Sequence, residues 1–255
     1  MLRIAVLLVL GSMGAAQLPA QQFDVASVRA NKSGVPRYGF SPQGNRFTAT
    51  NVSLFALIQW AYEMEDFRIS GAPAWMKSDH FDIAAESEGT PSIAQLRLML
   101  QPLLADRFHL QLQRQTKELP VYELSVAKGG SKLKEGRCTG APSPANPCGG
   151  TSGSTRGTLI GRAVSMQTMA KDLSGVLSRV VLDKTMLRGE YDFDLTWTPD
   201  ETFSHGPGDP DAPAADSNGP SIFTALQEQL GLTLKPAKGL VDVLVIDRAE
   251  PPKEN

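Results

Sequence analysis

The sequence is poor in the residues that most often carry chemistry. Its 255 residues include two cysteines, three histidines and 7% aromatics, and acidic and basic side chains nearly cancel at a net charge of −2. Interspersed, balanced charge gives no electrostatic case for nucleic acid or an anionic membrane surface, since both call for concentrated Lys and Arg. His80, His109 and His205 stand far apart, without the i, i+4 pairing or cysteine spacing of a zinc site, so neither a metal nor a cofactor is expected. Beyond the first residues no apolar run approaches the roughly 20 that a membrane-spanning helix needs, so the mature chain is expected to carry no span.

What is present starts with an export signal. Arg3, the apolar run Ile4 to Leu10 and the small residues Gly14-Ala15-Ala16 follow the order of a signal peptide. Residues 1–20 are read as that signal, with cleavage after Ala16 or Ala20; an uncleaved anchor is the alternative. The mature protein is then periplasmic or extracellular. In such an oxidising compartment neighbouring thiols bridge, and Cys138 and Cys148 are expected to form a short-loop disulfide.

The rest of the chain repeats itself. Val52-Ser53 and Val164-Ser165 are 112 residues apart, and so are Phe81-Asp82-Ile83 and Phe193-Asp194-Leu195. Between these anchors Leu54, Leu57, Ile58, Ala61 and Met64 fall on Met166, Met169, Ala170, Leu173 and Val176, a helix face in both cases. Pro91-Ser92-Ile93 and Pro220-Ser221-Ile222 mark a further helix start in each half. One supersecondary unit used twice is therefore expected. The fold class is α+β: two strand-helix-strand-strand-helix-strand-strand halves, their helices packed on small mixed sheets.

The first half spans 23–128 and the second 158–250, the latter interrupted by a disordered insert at 199–219. The Gly/Pro/Ser-rich stretch 129–157 has too few large apolar side chains to order itself and reads as a linker, leaving open one large domain or two. Asn51 or Ser53 caps the first helix, and Ser92 with Gln95 forms a capping box. Pro102 is expected to kink or end the helix that follows. Phe108 to Leu112 and Val121 to Val126 read as a hairpin turning at Lys117-Glu118, and Leu232–Leu234 with Leu240–Ile246 as a closing strand pair.

Phe23-Asp24-Val25-Ala26-Ser27-Val28, Leu104-Ala105-Asp106-Arg107-Phe108, Leu119-Pro120-Val121-Tyr122, Tyr191-Asp192-Phe193 and Glu228-Gln229-Leu230-Gly231-Leu232 resemble an acidobacterial (Solibacter-type) secreted family of unknown function. The similarity runs to Val243-Leu244-Val245-Ile246-Asp247. It implies export, and a related domain is sometimes joined to membrane-bound sensors; it implies no catalytic residues. In that family Leu182-Asp183-Lys184-Thr185 is usually followed by Gly-Leu, whereas Met186-Leu187 stands here, so the glycine turn is expected to be lost. Each half is also similar in pattern to the short N-terminal domain of secretins and TonB-dependent receptors, which mediates protein contacts.

Candidate chemistry is sparse. Ser125-Val126-Ala127-Lys128 has the spacing of a Ser-x-x-Lys nucleophile, but ends a strand whose geometry sends the two side chains to opposite faces. Asp183-Lys184-Thr185 reads more simply as a turn than as a phosphorylated aspartate. Asp82 and Asp194 occupy matching places; two carboxylates perform acid–base work when they converge, and otherwise hold a turn amide. Trp60, Tyr62, Phe67 and Trp75 line either a groove or a core. The protein is accordingly read as an exported non-enzymatic module for a protein or peptide partner in the cell envelope, its oligomeric state open. The alternative is an envelope hydrolase or small-ligand sensor with its site between the halves, near Asp82 and Asp194.

Overall fold

A computed structural model describes residues 22–34, 38–137, 148–153, 157–199 and 219–252. The expected signal peptide, Cys138, His205 and almost the whole 199–219 insert lie outside the described residues. From the N-terminus run β1 (Val25–Ala30), β2 (Gly39–Gln43), β3 (Arg46–Ser53), α1 (Leu54–Tyr62), β4 (Ile69–Ser70), α2 (Trp75–Ser78), β5 (His80–Glu86), α3 (Ile93–Arg107) and β6 (Gln111–Val126). Then come β7 (Lys134–Glu135), β8 (Gly150–Gly153), β9 (Thr158–Ser165), α4 (Met166–Leu177), β10 (Val181–Asp183), β11 (Glu190–Thr196), α5 (Ile222–Ala225) and β12 (Leu232–Arg248). The fold is α+β.

The chain divides into two units, one of Met1–Glu63, Ala72–Gln111 and Arg248–Asn255, the other of Met64–Gly71 and Leu112–Asp247. In the first unit an antiparallel sheet has the order β1-β5-β3-β2. Alternation buries Phe81, Ile83 and Ala85 of β5 beside Phe47, Ala49 and Val52 of β3. α1 leaves β3 without a loop, Ser53 Oγ accepting from the Ala56 N–H, and turns Leu54, Leu57, Ile58 and Ala61 into the core. α3 opens on the Ser92/Gln95 capping box and buries Leu96, Met99, Leu100 and Leu104; Gln101 Nε2 donates to the Ala61 carbonyl of α1. Pro102 does not end it: α3 continues to Arg107, and the carbonyl that proline leaves without a donor belongs to Leu98, an exposed residue that water reaches.

The second unit holds two sheets. One is antiparallel with the order β7-β11-β9-β8, and the other has the order β10-β6-β12-β4, with β10 parallel to β6 and β4 parallel to β12. α4 again leaves its strand directly, Ser165 Oγ accepting from Thr168 N–H, and packs Met166, Met169, Ala170, Leu173 and Leu177 against Phe193, Leu195 and Trp197. α5, capped by Ser221, continues as a π turn over Leu226–Leu230, from which Gln229 reaches the end of β11. Its Oε1 accepts from the Thr196 N–H and its Nε2 donates to the Thr196 carbonyl, so a side-chain amide adds one more rung to the ladder.

Four expectations are corrected. The 129–157 stretch is not simply a linker, because Lys134–Glu135 pairs with β11 and Gly150–Gly153 with β9; backbone ladders order these residues where apolar burial does not. The expected hairpin at Lys117-Glu118 is absent, and β6 passes straight through, since neither residue supplies the backbone conformation of a tight turn. β12 likewise runs unbroken past Pro236 and Gly239. The glycine turn after Thr185 is kept without its glycine: Met186 holds φ 59° with its side chain 92% exposed. Asp183 Oδ1 accepts from both the N–H and the hydroxyl of Thr185, and Thr185 Oγ1 accepts from the Leu187 N–H, which over-determines the turn. Met186→Gly is therefore expected to stabilise the protein by about 1 kcal/mol by removing a left-handed Cβ, read as a higher denaturant midpoint at unchanged slope.

Candidate functional site

At each of the two strand-to-helix junctions an aspartate on the neighbouring strand accepts a backbone N–H that has turned out of the ladder. At the first, Thr50 and Asn51 of β3 oppose the single residue Asp82 of β5, a bulge in which Asn51 takes φ 52°. The Asn51 N–H then points away from the ladder, and Asp82 Oδ1 accepts it at 2.8 Å. The same oxygen accepts from Asn31 Nδ2 at 2.8 Å, tying down the residue that follows β1. Two charge-assisted bonds on a half-buried carboxylate make a structural joint.

The second junction has the same arrangement but a different aspartate from the one expected. Arg162 and Ala163 of β9 oppose Asp192, Ala163 takes φ 51°, and Asp192 Oδ1 accepts the Ala163 N–H at 2.8 Å. Gly136 fills the place that Asn31 holds in the first unit; a Cβ there would lie 2.5 Å from Asp192 Oδ1, so only glycine fits. Asp194, the residue singled out by the gap-free spacing of 112, is exposed and accepts from Arg162 Nη2 at 2.7 Å. The matching triads are Phe81-Asp82-Ile83 and Tyr191-Asp192-Phe193, an aromatic-Asp-apolar order visible in the sequence but displaced by two residues from that register. Asp82 and Asp194 lie in different units, each with local partners of its own.

The other candidates are similarly occupied. Ser125 Oγ shares a hydrogen bond with Thr233 Oγ1 at 3.1 Å inside the sheet, while Lys128 lies past the end of β6. Asp183 holds the Thr185 turn. His80 Nδ1 meets the Ser78 carbonyl at 2.9 Å, and His109, at φ 47°, is an exposed residue just past the C-cap of α3 and outside the strand. Among the described residues no group of three or more His, Cys, Asp or Glu is arranged to hold a metal. Trp60 stacks on Phe40 at 5.4 Å and packs on Phe47 at 5.0 Å, a core edge that does not include Phe67, which belongs to the other unit. Cys148 precedes β8; the expected bridge to Cys138 lies outside the described residues.

One carboxyl is perturbed. Burial pushes Asp172 of α4 up from its ordinary value, opposed by the Thr151 hydroxyl bound at 2.7 Å and by the neighbouring Lys171 cation. A cavity of about 730 Å³ lies within the first unit, bordered by Arg29, Asn31, Asp79, His80, Phe81 and Pro251.

These partners set two expectations. Asp82→Ala and Asp192→Ala should each destabilise by ~1–3 kcal/mol, because each leaves a backbone N–H without an acceptor, whereas Asp194→Ala should stay within ~0.5 kcal/mol. Denaturant unfolding of the three variants separates the joint from the surface pair. For Asp172 the folded-state pKa is raised, so its contribution is fully present below the ordinary value of 3.8 and is lost as pH rises through the folded value. Asp172→Asn should therefore be more stable than the parent at neutral pH, with the advantage shrinking on acidification, as read from thermal midpoints across pH.

Among the described residues no helix is long and apolar enough to cross a membrane. No curated protein and no solved structure matches the chain. One family does, described as Protein of unknown function (DUF3738): the match covers residues 55–249, more than half of the sequence, and the chain belongs to that family.

Proposed function

We propose that this is an exported, non-enzymatic protein of the cell envelope that presents sheet edges to a protein or peptide partner, built from two copies of one unit. The observation that carries the reading is the long ribbon of β6 and β12, 16 and 17 residues, flanked by strands of only three and two. Most of the outer edge of each long strand thus has no strand neighbour among the described residues, the geometry by which extended segments are recruited.

The duplication is supported by the shared orders β1-β5-β3-β2 and β7-β11-β9-β8, by the two Asp-held bulges, and by Ser53 and Ser165 capping the helices behind them. The resemblance to the contact domain of secretins and TonB-dependent receptors, and to an acidobacterial secreted family, points the same way. Export and the Cys138–Cys148 bridge belong to the same proposal. A second reading, a small-ligand sensor, is favoured by the cavity bordered by His80 and Arg29, whose size suits a small molecule.

The test is cross-linking and co-purification of the tagged full chain from native envelope. A protein or peptide recovered in fixed ratio and cross-linked to β6 or β12 is expected. Hydrolysis of an ester, peptide or glycan by the purified protein, abolished by one substitution, would overturn the reading. Mass spectrometry of the same preparation should give an N-terminus after Ala16 or Ala20 and a two-proton difference on reduction; a retained leader or two free thiols would remove those parts.

A further inference from the structure

The cavity of the first unit and the vacant edge of its sheet are one place. β1 ends the order β1-β5-β3-β2, so one side of it has no strand among the described residues. Asn31 N–H donates to the His80 carbonyl in continuation of the β1–β5 register, which turns the odd-numbered residues toward β5 and the even-numbered ones outward. Arg107 agrees. Its Nη2 donates to the Ala26 carbonyl at 3.4 Å and closes that end of the outer side. Beyond it Val28 and Ala30 turn outward, and both border the cavity of about 730 Å³ together with Arg29, Phe81, Pro251 and Pro252.

That row of backbone groups calls for an extended chain. Val28 and Ala30 each present one N–H and one carbonyl at strand spacing, an alternation that a peptide backbone matches and a compact small molecule does not. The chain end beside them supplies no donor: the Glu250 N–H goes to the Phe108 carbonyl, and Pro251 and Pro252 have none. From Val28 to Lys32 the border is roughly 13 Å long at the rise of a strand, room for a peptide of about five residues.

Side chains at the edge select its sequence. Arg29 shares a face with Asp82, which stands opposite it in register, but Asp82 Oδ1 accepts from Asn31 and Asn51, and among the described residues Arg29 makes no ion pair. Asp79, a carboxylate on the cavity border, accepts from the Ser78 hydroxyl at 2.9 Å. In an antiparallel addition the residue opposite Arg29 falls in a non-hydrogen-bonded pair, where side chains stand closest and opposite charges support the pairing. An acid belongs there. Its two neighbours fall on the other face, beside Val28 and Ala30, where Val28, Phe81 and Ile83 are buried apolar side chains. The order selected is apolar, acidic, apolar.

We propose that the outer edge of β1 from Val28 to Asn31 binds an extended peptide carrying an acidic residue between two apolar ones, the carboxylate beside Arg29 and the apolar pair beside Val28 and Ala30. The proposal rests on the reading of the protein as an edge-presenting module; it gives that module a site on the first unit and states the chemistry of its partner. A few backbone bonds and one ion pair make a weak complex, with a dissociation constant roughly in the micromolar to millimolar range.

The probe is the blocked peptide acetyl-Thr-Val-Glu-Val-Thr-amide, titrated into the isotope-labelled full chain. Amide NMR signals of Val28 to Asn31 should shift and saturate. Replacing the glutamate by lysine should weaken binding roughly fivefold, and N-methylating both valines, which removes the donors to the Val28 and Ala30 carbonyls, roughly tenfold or more. Arg29→Glu should reverse the preference between the two peptides, and Arg29→Gln should bind both alike; circular dichroism melts confirm that each variant folds. No shift at β1, a lysine or N-methylated peptide bound as tightly as the parent, or free glutarate filling the cavity and excluding the peptide each overturns the proposal, the last in favour of a small ligand. A partner cross-linked to β6 or β12 while β1 stays silent removes this proposal and leaves the broader reading standing. The glutamate peptide bound at β1 with no partner cross-linked to β6 or β12 supports this proposal and removes the ribbon from that reading.

Discussion

A strand that passes directly into a helix must redirect its backbone within two residues, and the amide caught on the inside of that turn loses its ladder partner. Here a carboxylate on the adjacent strand accepts it, Asp82 for Asn51 and Asp192 for Ala163. An unaccepted amide would cost about 1–3 kcal/mol, a sizeable part of the 5–15 kcal/mol that holds a typical domain together. With the amide satisfied, the bulge aims the chain, Ser53 or Ser165 begins the helix, and the helix lays its apolar face on the sheet it has just left. The price is a left-handed φ at Asn51 and Ala163, which asparagine tolerates better than alanine.

That joint also explains why short polar strands are ordered around it. β7 has two residues and β8 four, with no large apolar side chain to bury, yet both are held by main-chain hydrogen bonds to the strands that form the second bulge. Gly136 lets the chain after β7 approach Asp192 closely, and the Gln229 amide extends β11 by one rung. Order passes outward from the carboxylate through backbone bonding, so the side-chain composition of these edges is a poor guide to whether they are structured.

Helix starts were legible because their chemistry is local: Ser53, Ser92, Ser165 and Ser221 each accept from an amide three residues on, as their place before an apolar run foretells. The apolar faces of α1 and α4 followed from spacing alone. Strand continuity did not, because alternation looks the same in two short strands and in one long one, and only the absence of turn residues at Lys117-Glu118 argued for the latter. Asp192 was hidden for another reason. A gap-free register matched Phe81 to Phe193, while the sheet pairs Phe81 with Val52 and Tyr191 with Val164, two residues away from that alignment.

Prolines decide which edges remain available. In an outward place on β6, Pro120 has no N–H to offer a neighbour, so the parallel ladder that β10 builds on Tyr122–Leu124 has no donor with which to continue. β10 stops at three residues, and the stretch from Leu112 to Glu118 beyond the proline has no flanking strand on that side among the described residues. The Thr116–Asp242 and Ser125–Thr233 bonds set a register in which Pro236 lies across the ribbon from Tyr122, where it interrupts the outer side of β12 midway instead of bounding it. The same residue type thus serves opposite ends: on β12 it breaks an edge into pieces too short to recruit a strand, while on β6 it marks off one uninterrupted segment.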